Sequence, residues 1–161
     1  MSAPTPANVS MEQTRSAVLN VLVAVGTGIA VSGWLLRWRD HWAFFPASET
    51  LRQGMMAGLV GVAVASFVVR RVLTGRQALR DPERRGSRFY RGHVLAALVA
   101  ALAVPLGLAY GWVVRPELKA VGPFWVAALA LGFFALPRAY ELENFDDGDQ
   151  PEAPLADESS S

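Results

Sequence analysis

The chain contains no cysteine in its 161 residues. Disulfides, thiolate-bound metals, iron–sulfur clusters and thiol redox chemistry are therefore excluded. It also has no Asp, Glu, Lys or Arg near the middle of any of its long apolar runs. Carriers coupled to protons or ions place an ionisable group at that depth, because that group holds the proton or counter-ion. Its absence argues against proton-coupled transport. There is no phosphate-binding glycine loop, no cluster of metal ligands and no converging acid and base. The residues thus call for no cofactor, no catalytic residue, no metal and no nucleic-acid partner, and we expect a protein that is not an enzyme.

What the chain does have is apolar residues gathered in blocks. It is 52% hydrophobic and 18% charged, with a mean hydropathy of +0.27. An ordinary soluble core would interrupt such runs every 8 to 15 residues, roughly the length of one helix or strand. Here they are about twice as long as that, near the ~20 residues needed to cross a bilayer. Ser16 to Leu36 is free of charge over its whole length, and at ~1.5 Å per residue it matches a hydrocarbon layer of about 30 Å. Further runs occupy about 54–73, 92–114 and 118–137. The expected fold is all-α: an integral membrane protein built as an antiparallel bundle of four transmembrane helices over 16–137. A mobile tail (1–15) precedes it and an acidic disordered tail (138–161) follows.

Basic residues set the orientation. With the N-terminus inside, the cytoplasmic segments carry ten of the 15 basic residues and the outer loops five, Arg37, Arg39, Arg52, Arg115 and Lys119. That excess favours a plasma (inner) membrane protein with both termini cytoplasmic. All five tryptophans, Trp34, Trp38, Trp42, Trp112 and Trp125, fall at span ends that this topology places outside, as an aromatic belt. A competing reading makes the first span a cleaved signal peptide, with Ala30 and Ser32 before the cut. Its apolar stretch is longer than the usual 7 to 15 or so residues, and the tail before it carries only Arg15, offset by Glu12. No internal repeat is evident, because the loops differ in length.

Small residues mark helix-packing faces. The second span carries Gly54, Ala57, Gly58, Gly61 and Ala65, and the third Gly92, Ala96, Ala100, Ala103, Gly107 and Gly111. Each stripe includes a GxxxG. Small side chains let helix backbones approach where lipid removes the hydrophobic drive, and contacts within one bundle are preferred over a dimerisation face. Pro105 lacks an N–H and crowds the carbonyl of Ala101, which predicts a kink in the third span. Asn20 shares a face with Ala24, Thr27 and Gly28. A buried amide needs a partner, so this face is expected to look into the bundle.

The two histidines, His41 in the outer loop and His93 at the inner start of the third span, are too far apart to ligate one haem or ion. The aromatic loop from Arg37 to Gln53 reads as an interfacial segment turned by Pro46, with Ser48 as a helix cap. The small four-helix multidrug exporters depend on a glutamate in their first helix, and the first span here has none.

Eight arginines, Arg70, Arg71, Arg76, Arg80, Arg84, Arg85, Arg88 and Arg91, oppose Asp81 and Glu83 in the inner loop and give it a charge of +6. They and the tryptophans are the expected contacts to lipid or a partner. The segment from Arg138 onward holds eight acids against one arginine and carries −7, so the tail can compete with anionic lipid for the loop. Membrane lipids, other membrane-protein subunits or self-association are the expected partners. The function that fits is a non-catalytic accessory, assembly or stabilising subunit of a larger membrane complex. A small oligomeric transporter or channel, with its pore between chains, is the alternative.

Overall fold

A computed structural model describes residues 6–39, 49–75, 82–115, 117–138 and 141. It is all-α: α1 (Pro6–Arg39), α2 (Glu49–Thr74), α3 (Pro82–Ala101), α4 (Ala103–Val113) and α5 (Leu118–Phe134). Three stretches are long and apolar enough to cross a membrane, Met11–Trp38, Glu49–Thr74 and Arg85–Val113. The third joins α3 and α4, which form one helix interrupted at Leu102. There the Leu102 N–H donates to the Val99 carbonyl at 3.1 Å, a tight 3₁₀ step. The break lies where Pro105, lacking an N–H, cannot bond the Ala101 carbonyl.

Contacts across the bundle fix the direction of each helix. At one end Val18 of α1 packs with Ala96 and Ala97 of α3 and with Ala135 after α5. In the middle Val25 meets Ala103, Val104 and Ala128. At the far end Leu36 joins Tyr110, Val114, Val121 and Phe124. Numbers rise together along α1 and α3–α4 and fall along α5. On α2, Gly58 lies level with Leu106, and Leu73 and Thr74 lie level with Gly92, so α2 also runs against α3–α4. The chain therefore goes up, down, up and down, with α3–α4 touching all three other helices. The end that holds Arg70, Arg71, Arg88 and Arg91 is called the basic end below, and the other the tryptophan end.

Two expected boundaries are corrected. The first helix begins at Pro6, so the stretch read as the last part of a mobile tail is helical, and Thr14 within it is fully buried. Met11, Glu12, Gln13 and Arg15 carry straight or flexible side chains that lose little freedom in a helix. The last helix ends at Phe134, short of the expected 137. Pro137 cannot donate to a helical carbonyl and biases the residue before it away from helical geometry. At 17 residues α5 is about 25 Å long. The expected acidic tail lies outside the described residues except for Arg138 and Glu141.

Candidate functional site

The polar chemistry of the described residues gathers at the basic end, where the last turns of α2, the first turns of α3 and the segment after α5 meet. Arg70 lies about one turn before the end of α2 at Thr74. Its guanidinium turns inward, where Nη1 donates to the Phe134 carbonyl and Nη2 to Glu141 Oε1, both at 2.5 Å. The guanidinium carbon sits 4.6 Å above the centre of the Phe134 ring. A planar cation over an aromatic face, with its N–H groups spent on a carbonyl and a carboxylate, is well matched to a partly dry site.

His93 approaches the same carboxylate from α3. It is fully buried, its ring 4.4 Å from that of Phe89. Nδ1 is 2.7 Å from the Ala135 carbonyl oxygen, and Nε2 is 3.2 Å from Glu141 Oε2. A carbonyl oxygen only accepts, so Nδ1 carries a proton. The Nε2 contact is close but too poorly aligned to be a hydrogen bond, and Nε2 has no other partner. One turn further along α3, Ser66 of α2 donates to the Ala96 carbonyl at 2.9 Å in a buried bond between helices. Burial pushes the Glu141 carboxyl up. The approach of His93 and the positive charges of Arg70 and Arg138 outweigh that and hold it below the ordinary value of 4.5.

Arg70 was expected to reach lipid and instead is turned into the bundle, because a carboxylate and a carbonyl are offered there and bare hydrocarbon offers neither. Arg71 and Arg91 are exposed as expected, and Arg85 and Arg88 are half-buried with partners of their own. Arg76, Arg80 and the Arg84 side chain lie outside the described residues, as do His41, Trp42, Pro46 and Ser48. Trp34, Trp38 and Trp112 are 65%, 70% and 45% exposed and form an outward belt. Trp125 corrects that expectation. Its ring packs against Gly33 of α1 and near Gly107 of α4, and its indole N–H is buried without a hydrogen-bond partner.

The stripe on α3–α4 is in close contact throughout. Ala96, Ala100, Ala103, Gly107 and Gly111 are all buried, and a Cβ at Gly111 would come within 2.7 Å of Leu36 Cδ2. The α2 stripe divides. Gly58 meets Leu106 at 3.5 Å, while Gly54 and Gly61 have nothing within 4 Å. Asn20 is corrected as well, being exposed, because the buried face of α1 runs through Thr14, Val18, Leu22, Val25, Ser32 and Leu36. It lines an open groove of about 930 Å³ between α1 and α3, with Glu12, Ser16, Ser87 and Tyr90.

The sequence reading missed the meeting of Glu141 with Arg70 and His93, the Ser66 bond to the Ala96 carbonyl, and Gly132, on which Leu22 sits. An even number of crossings puts the ends of the second and last helices beside the start of the third, and that was the available signal. Among the described residues no three His, Cys, Asp or Glu side chains could hold a metal. The cluster holds one carboxylate between a guanidinium and a buried imidazole. No family profile, no curated protein and no solved structure matches the chain.

Proposed function

We propose that the chain is a four-span membrane protein of the plasma (inner) membrane, with both termini and the basic end cytoplasmic. In this reading it serves as a non-catalytic accessory, assembly or stabilising subunit of a larger membrane complex. Membrane insertion is supported by the three long apolar helices and by α5, which runs antiparallel to α4 and returns the chain to the basic end. Ten basic residues against five support the orientation.

The subunit role rests on one observation. The second helix is the least buried of the long ones, with 6% of its most apolar window covered. Its outer face carries Gly54, Ala57, Gly61 and Ala65, all exposed. Small residues facing lipid give up dispersion contacts that larger side chains would make. The same face lets another helix approach closely, as the α3–α4 stripe does within the bundle.

Purification in mild detergent tests the reading. A fixed set of larger subunits should copurify, and the double variant Gly54→Leu with Gly61→Leu should lose them while still folding. If the protein instead purifies alone as a symmetric oligomer that conducts solute in vesicles, it is a small transporter or channel and the subunit reading fails.

A further inference from the structure

We propose that His93 and Glu141 form a proton-operated latch that fastens the start of the acidic C-terminal segment to the basic end of the bundle, with Arg70 as its fixed anchor. The argument begins with donors and acceptors. Glu141 presents one oxygen to Arg70 and the other to His93 Nε2. The Nδ1 proton is committed to the Ala135 carbonyl. A neutral ring would then leave the buried Nε2 without a proton 3.2 Å from a carboxylate oxygen, a lone pair held close to a negative charge. A second proton turns that repulsion into an ion pair. The latch is therefore closed with imidazolium and carboxylate together, and it opens when either loses its charge.

The surroundings isolate this proton. The charged groups at the carboxylate are Arg70 from α2 and Arg138 from the segment after α5. From α1, Val18 packs against Ala96, Ala97 and Ala135 at this level, and on α3 itself the Phe89 ring lies tilted against the imidazole. A guanidinium keeps its charge, so Arg70 holds the ionised Oε1 while the His93 contact comes and goes. Loss of the His93 contact leaves Glu141 on one arm, and a single arm constrains the following segment less than two. The latch does not depend on the identity of any partner, so it can fail while the subunit reading stands.

Two measurements on the full chain in nanodiscs test it. Nitrogen NMR of labelled histidines reads the proton on each ring nitrogen of His93 directly, with His41 assigned by His41→Gln. A nitroxide at Asn144→Cys reads the motion of the segment just beyond the latch, and the absence of native cysteine makes that site unique. Across about pH 5 to 8, the range in which imidazoles change charge, both His93 nitrogens should be protonated at the acidic side. The mobile spectral component should grow as the Nε2 proton leaves. In His93→Gln and in Glu141→Gln the same label should show no such growth. A His93 ring that keeps a single proton throughout would overturn the proposal, as would a label whose pH response is the same in wild type and both variants. The NMR readout needs only the wild-type protein, so a variant that misfolds does not remove the test.

Discussion

Gly107 of α4 faces Phe124 of α5 so closely that a Cβ on the glycine would stand 2.7 Å from the Phe124 Cβ. Phe124 is fully buried and lies tilted against Tyr110 with ring centres 5.0 Å apart, so it has little room to withdraw. Overpacking of this kind costs about 1–3 kcal/mol or more. We expect Gly107→Leu, and likewise Gly132→Leu beneath Leu22, to lower thermal stability in detergent sharply. Gly61→Leu, placed in open space, should leave the isolated protein's stability nearly unchanged. Equal melting of all three variants would show that the α3–α4 and α5 contacts do not hold the bundle together.

Ser66 and Asn20 give a second contrast. The buried Ser66 hydroxyl reaches the Ala96 carbonyl on the neighbouring helix, and Ser66→Ala should cost about 0.6 kcal/mol and at most about 1.7, the average and the upper limit for such bonds between helices in membranes. Asn20→Ala removes an exposed amide and should be near neutral. Chemical unfolding of the two variants side by side decides the matter, and a larger loss for Asn20→Ala would contradict the register of α1.

Acid should weaken the fold through Glu141. Its carboxyl titrates below 4.5 in the folded chain, so it binds fewer protons there than when unfolded. The stability its carboxylate draws from Arg70 is fully present above about pH 4.5, the unfolded value, and is lost as pH falls through the lower folded value. Melting temperatures of wild type should therefore drop on acidification below that point. The drop should be shallower for Glu141→Gln, which has no carboxyl to protonate. Parallel curves for the two proteins would mean that the pair with Arg70 and His93 contributes nothing to stability.

The proposed orientation makes a labelling prediction. Single cysteines at 40–50 and 116–118 should react with an impermeant reagent added outside intact cells. Those at 78–88 and 150–160 should react only after the membrane is opened. Reaction at position 80 from outside would invert the topology.

Truncation addresses the tail. Removing 142–161 leaves Glu141 on Arg70 but deletes most of the acidic charge, and removing 141–161 also frees Arg70. Both truncations should bind anionic vesicles more strongly than the full chain at low salt. The longer deletion should bind best, and the differences should shrink as salt screens charges beyond about 8 Å. Identical binding at every salt concentration would show that the tail does not compete with lipid.

Much of the fold was legible in the residues. A charge-free run such as 16–36 admits few arrangements other than one long helix, and Pro105 marked the interruption of α3–α4 because a missing N–H is a local fact. The tight turn at 115–117 likewise dictated that α4 and α5 run antiparallel. The face that each helix buries was another matter. A helix apolar on most of its circumference gives no strong period to read, and lipid and protein neighbours accept the same side chains. Hence Asn20 faces outward, Trp125 packs inward and all of the α2 stripe but Gly58 stands open, none of which the composition of those segments distinguishes. Arg70, His93 and Glu141 lie on three separate segments of the chain. Each alone reads as a surface charge or an isolated ring, and only the packing of the helix ends brings the carboxylate between the guanidinium and the buried imidazole.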